Sequence, residues 1–336
     1  MNKTKLQQAL EIVKPGLASK EMIEQSTSFA FIDGRVVTYN DEISLSHPVE
    51  GLEIEGAIQA EELYKLLSKI KQEEDEIEIS IEKNEVILQV GRMKAGLSLQ
   101  QEIKLPLEEI GELSRWKTLP EDFIRFVGLA MQVCSRDMSR PVLTCVHVNK
   151  NGQIEGSDGF RIIRCELEKE MPVKTFLIPA NSAAELVRLQ PTKVAEGSGW
   201  MHFKTDEETI LSCRTFQDDF PDCEPFLKVE GVEIIFPKTI KEIVGRAEVF
   251  AKRDHFLDET IEITIGKKRI TVKSRSDSGW FEEGANIRYN DEPVSFSITP
   301  YLLKDILTET PVCALCEDRL KFEGAGWVSI LTLRGK

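Results

Sequence analysis

"DFIRFVGLAMQVCSRDM", residues 122–138, is apolar along one helical face and charged on the other. Phe123, Phe126, Val127, Ala130 and Cys134 fall three or four residues apart, the spacing of one helical stripe. The pattern stands 117 residues earlier in "KLQQALEIVKPGLASKE" from Lys5, and 117 later in "TIKEIVGRAEVFAKRDH" from Thr239. In the last copy Ile240, Ile243, Val244, Ala247 and Ala251 form the stripe. A second set recurs every 120 residues: "IQAEELYKLLSKI" from Ile58, "IPANSAAELVRLQ" from Ile178 and "ITPYLLKDILTE" from Ile298. It keeps Leu63/Ala183/Leu303, Leu66/Leu186/Ile306 and Leu67/Val187/Leu307 in register. Two sets at nearly one spacing define a threefold internal repeat.

Between the helices the period drops to two and β-branched residues dominate. Hairpin turns are expected at Asp33-Gly34, Asn151-Gly152, Gly266-Lys267 and Lys83-Asn84. The fold class is therefore α+β, with three similar domains, each carrying two helices on antiparallel sheet. "SRWKTLPED" and "KVEGVEIIFPK" place the limits at 1–115, 116–230 and 231–336. The acidic run Glu73-Glu74-Asp75-Glu76 reads as a solvated turn after the second helix.

Of 336 residues, 30% are charged and 41% hydrophobic, an ordinary soluble composition. No apolar run approaches the ~18 residues of a membrane helix. The first residues read as an amphipathic helix, not a signal peptide, so a cytoplasmic protein without membrane contact is expected. Seven scattered cysteines suit reduced, buried thiols. Cys313 and Cys316 form the one close pair, but no second pair or nearby histidine completes a metal set. Phosphate loops, dinucleotide fingerprints and nucleophile elbows are lacking, so no cofactor, metal or catalytic residue is expected. An enzyme using Asp158 with His147 or Cys145 is the remote rival.

The net charge of −14 argues against nucleic acid only if it is evenly spread. The six helical stretches hold 18 basic against 12 acidic residues, and the remainder holds 25 against 45. Basic helices in an acidic body suit loose, sequence-independent phosphate contact, although Lys and Arg also decorate ordinary solvated helix faces. Aromatics are few, at 7%, so stacking on single strands is not indicated. No Asn/Arg-rich recognition helix suggests base readout, which leaves duplex DNA as the expected polyanion. The candidate contacts are Lys14, Lys20, Lys69, Arg125, Arg136, Arg140, Arg188, Lys241, Arg246, Lys252 and Arg253.

Three segments carry a resemblance. "GSDGFRIIRCEL" (156–167) is similar to a TDGHRLA segment, "FLIPANSAAELVRL" (176–189) to a VPRK…EL helix, and "FQDDFPDCEPFL" (216–227) to a GxFPDY segment. In that order, inside a threefold repeat spanning the chain, they resemble the bacterial sliding clamps, the beta subunit of replicative DNA polymerase. The resemblance implies a non-catalytic processivity factor: a head-to-tail homodimer whose six domains form a ring around duplex DNA. Replicative polymerase and clamp loader are the implied partners, docking short peptides in a cleft. By motif the cleft falls on Leu143, Ser157, Gly159, Phe160, Arg161, Ile162, Pro221, Leu331, Leu333 and Arg334, although single Leu and Ile residues are often plain core. Asp158-Gly159 is then a turn, not a catalytic carboxylate. The implied subunit joint pairs the strand around Arg92–Leu99 with one around Thr260–Ile265.

Phe160 stands where the family has His, Cys223 where Tyr is common, "EPF" lacks the usual arginines, and the tail is "ILTLRGK". Such departures are expected of a divergent clamp, bacterial or phage-encoded, and bear on peptide specificity more than on fold. A clamp-fold scaffold that binds peptides without closing on DNA is the alternative.

Overall fold

A computed structural model describes residues 1–71, 76–111, 115–253 and 258–334. Residues 73–75 of the acidic run lie outside them. Two compact units are present: Met1–Ile124 with Glu170–Gln217, and Arg125–Lys169 with Asp218–Lys336.

Every repeated apolar pattern forms a helix, although Cys134 and Ala251, the last residues of their stripes, lie just past the helix ends. The helices are α1 (Lys3–Val13), α2 (Ala60–Lys69), α3 (Phe123–Met131), α4 (Ala180–Leu189), α6 (Ile240–Glu248) and α7 (Pro300–Ile306); α5 (Glu224–Leu227) is one added turn. The first copy is shorter than its apolar pattern, because Pro15 and Gly16 turn the chain into a 3-10 segment after Val13. Asn2 caps α1 by accepting from the Lys5 N–H.

In the first unit eight antiparallel strands lie in the order Gly56–Gln59, Ser28–Ile32, Arg35–Tyr39, Ile43–Pro48, Ile210–Arg214, Trp200–Lys204, Lys193–Glu196, Lys117–Thr118. Glu78–Glu82, Glu85–Val90 and Met93–Ser98 form a separate three-stranded sheet. Leu6, Leu10 and Val13 of α1 are buried, as are Leu63 and Leu67 of α2. In the second unit Cys145–Val148, Gln153–Ser157, Arg161–Glu166, Trp327–Thr332, Arg319–Gly324, Val312–Cys316 and Val232–Ile235 run side by side in that order. A four-stranded sheet follows the order Gly279–Asn286, Arg269–Ser276, Ile261–Ile265, Val294–Ile298. Ile261–Ile265 is thus an interior strand, paired on both sides. It has no free edge for a second chain, which overturns the expected joint; the sheet's edge on the hairpin side is Gly279–Asn286.

The repeat persists at single contacts. Thr38 Oγ1 donates to the Val13 carbonyl at 2.6 Å, and Ser274 Oγ to the Ala247 carbonyl at 2.6 Å. Gly156 holds the same place in the second copy, where a Cβ would stand 2.2 Å from the Ala130 oxygen. In each copy this strand position meets the helix carbonyl, through a hydroxyl or by direct backbone approach.

His202 is fully buried in the first unit, with Nδ1 at 2.9 Å from Ser212 Oγ and Nε2 unpartnered. Burial without a compensating charge lowers its pKa to about 4. The depressed value means that its contribution is intact above the unfolded pKa near 6.5 and is lost as pH falls toward 4. We expect His202→Gln to flatten the acid limb of the stability curve by up to about 3 kcal/mol, read from urea unfolding at successive pH values.

Candidate functional site

Residues 157–161 join two strands of the second unit and settle what Asp158 does. Its Oδ1 accepts from the N–H groups of Phe160 (2.9 Å) and Arg161 (3.0 Å). Oδ2 accepts from Arg161 Nε at 3.1 Å and from the Tyr301 hydroxyl at 3.4 Å. Both oxygens serve the turn and its ion pair. Gly159 at φ +87° supplies the left-handed residue, and Ser157 Oγ accepts from its N–H at 3.1 Å. The first copy builds this turn with Asn40, whose Oδ1 accepts from Glu42 and Ile43 N–H while Asp41 sits at φ +75°.

Arg161 anchors the site. Its side chain is 7% exposed, and its guanidinium reaches Asp305 at 2.8 Å, the Gln132 carbonyl at 2.8 Å and the Tyr301 ring at 5.2 Å. Burial, then the Asp158 charge, holds the Tyr301 phenol well above its ordinary pKa. Sequence spacing gave no signal for Tyr301, Asp305 or Gln132. Arg161 and Leu331 line a small cavity of about 20 Å³ together with Leu129, Leu302 and Ile306.

The other residues assigned to the cleft distribute around this turn. A Cβ on Gly159 would lie 3.3 Å from Arg140 Nη1 and 4.0 Å from Leu143 Cδ1. The Arg334 guanidinium stands 5.4 Å from the Phe160 ring centroid. Ile162 packs instead with Leu227, Val229 and Ile330. Leu333 lines a different groove, and Pro221 is exposed, accepting a weak contact from the Cys223 thiol through its carbonyl.

Beside the turn lies a charge network absent from the sequence reading. Glu155, buried, accepts from His147 Nδ1 at 2.9 Å and from Arg164 Nε at 2.8 Å, and Arg164 also pairs with Glu224 of α5. Burial opposes ionisation of Glu155, but those two hydrogen bonds win and hold its carboxyl below the usual range. The His147 ring stacks on Phe220 at 4.9 Å. His147 and Arg164, both held by Glu155, therefore clasp the segment 218–228 to the sheet.

All eleven basic candidates are exposed. Arg246 forks onto Glu283 with two 2.8 Å bonds, Arg188 pairs with Glu185 at 2.6 Å, and Lys252 with Glu259 at 3.3 Å. Lys14 lies over the Tyr64 ring at 4.1 Å, and Arg125 over Phe126 at 5.1 Å. Arg253 donates to the Arg275 carbonyl at 2.7 Å. Lys20, Lys69, Arg136, Arg140 and Lys241 complete the set.

This repeated pairing of helices and antiparallel sheets is the fold of the bacterial DNA sliding clamps. The DNA polymerase III subunit beta of Pseudomonas aeruginosa superposes with a TM-score of 0.85 at 17% identity, covering 100% of this chain and 99% of that one. A sliding clamp of Bartonella birtlesii bound to griselimycin gives 0.88 at 14%, and that of Bacillus subtilis 0.82 at 17%, each covering 100% of this chain and 98% of theirs. No family model and no curated protein matches the chain. Among the described residues no helix is long and apolar enough to cross a membrane.

Proposed function

We propose that this chain is a sliding clamp: two copies close head to tail into a ring of six domains around duplex DNA and tether a replicative polymerase, with no catalysis of their own. Strand pairing between repeats carries the reading. Ile43–Pro48 of the first domain pairs with Ile210–Arg214 of the second, and Arg161–Glu166 of the second with Trp327–Thr332 of the third. Gly279–Asn286 holds the corresponding place in the third domain, and Met93–Ser98 in the first; both are sheet edges. Each end of the chain thus offers one half of a joint already used twice within it. Two copies satisfy both halves by closing, and closure covers these two edges.

The division into 1–115, 116–230 and 231–336 accounts for two compact units, because the middle domain contributes strands to both large sheets. Topological retention also reconciles the −14 charge with DNA, since a closed ring needs no strong phosphate affinity, and tight binding would hinder sliding. The eleven exposed basic side chains would line the hole as weak contacts, the three carboxylate-paired ones weakest. Peptides of the polymerase and clamp loader would dock around Gly159, Phe160 and Arg161, and the chain would act in the cytoplasm. Tethering raises the local polymerase concentration at the primer end.

The test compares circular with linear duplex. Protein loaded on a nicked circle should remain in high salt and dissociate once the circle is cut. Equal loss from both forms would overturn encirclement and favour a peptide-binding scaffold.

A further inference from the structure

A groove of about 510 Å³ in the second unit shares only Leu333 with the proposed cleft. Its floor includes Tyr289, Phe296 and Leu315, and its rim carries Asp291, Glu292 and Glu317; among the described residues no lining side chain is basic. The rim is felt at the floor: burial, then Asp291, holds the Tyr289 phenol above its ordinary pKa. Val232 lies at the same groove and begins Val232–Ile235, the terminal strand of its sheet. Val232 is 37% exposed at the groove, opposite Leu315, while Ile235, at 54%, and its partner Val312 are exposed on the other face of the same strand pair. An uncovered apolar edge beside an acidic groove offers main-chain pairing, apolar contact and one sign of charge together.

We propose that Val232–Ile235 and this groove receive an extended segment of a partner protein that alternates apolar and basic side chains. The segment adds as a strand to Val232–Ile235, seats an apolar side chain on Phe296 and Leu315, and brings lysine or arginine to Asp291, Glu292 and Glu317. Charge complementarity selects this occupant: an acidic peptide would meet three carboxylates. The inference goes beyond the clamp reading and stands whether or not the ring closes.

A fluorescent decapeptide of alternating valine and lysine is the probe, with a valine–glutamate decapeptide as its counterpart, both read by anisotropy on the full chain. The lysine peptide should bind and the glutamate peptide should not. Asp291→Asn, Glu292→Gln and Glu317→Gln together should weaken binding about tenfold or more. Removing the same charge at exposed Glu53, Glu62 and Glu121 should leave affinity essentially unchanged, and Val232→Lys should weaken it. Equal losses in the two triple variants would reduce the effect to bulk charge and overturn the proposal, as would equal binding of both peptides. Self-association of the peptide-free chain that Val232→Lys abolishes would overturn it in favour of a second copy as occupant.

Discussion

Proline at Lys94 and at Ala95 should give opposite results: one variant loses the dimer and keeps its fold, and the other loses fold stability. Met93–Ser98 pairs on one side with Glu85–Val90, with Lys94 opposite Gln89 and Ala95 opposite Leu88. Along such a strand successive N–H groups point alternately to the paired and the open side. Proline removes an N–H from the ladder, and leaving its partner carbonyl unsatisfied costs about 1–3 kcal/mol where that hydrogen bond was made. On the paired side the loss falls on the three-stranded sheet and lowers the unfolding midpoint. On the open side it falls on the proposed joint with Gly279–Asn286 of the second copy. A closed dimer contains that joint twice, so about 2–6 kcal/mol is lost, or about one to four orders of magnitude in dimer dissociation constant. Sedimentation at micromolar concentration with parallel thermal unfolding separates the cases. A dimer that survives both substitutions would place the joint elsewhere.

What was legible in the sequence follows from range. The helices and hairpins rest on spacings of a few residues, and the threefold repeat multiplies each signal, so the fold class could be read directly. Thr38, Gly156 and Ser274 look unrelated as residue types, yet they occupy one structural position because each solves the same close approach to a helix carbonyl. Strand neighbours are a different matter. Ile261–Ile265 alternates like any half-buried strand whether it has one partner or two, and only Val294–Ile298, about 30 residues on, makes it interior. The site shows the same division. The turn at Asp158-Gly159 is local and could be anticipated, but Asp305 and Tyr301 arrive at Arg161 from more than 130 residues away. The His147–Glu155–Arg164 network escaped for a related reason: its residues alternate along strands that would look the same if they faced solvent.

Arg161→Ala should destabilise the second unit by about 3–5 kcal/mol in urea unfolding, the cost of leaving buried partners without their charge. Asp158 is nearly enclosed beside it, with a side chain 10% exposed, and the Gln132 carbonyl loses its donor as well. Asp305 is 46% exposed and can be solvated, so Asp305→Asn should cost much less despite its shorter contact with Arg161. Asp158→Asn separates the two duties of that residue. Its Oδ1 can still cap the turn, but an amide in place of Oδ2 sets a donor against Arg161 Nε, so the loss should approach that of Arg161→Ala. Asp158→Ala removes cap and charge together and should cost more than either. A catalytic Asp158 predicts another ordering, in which Asp158→Asn keeps stability and abolishes a turnover. If Asp158→Asn unfolded at wild-type urea concentration, the buried pair would not be what fixes this turn, and the half-buried Phe160 beside it would not owe its position to Arg161.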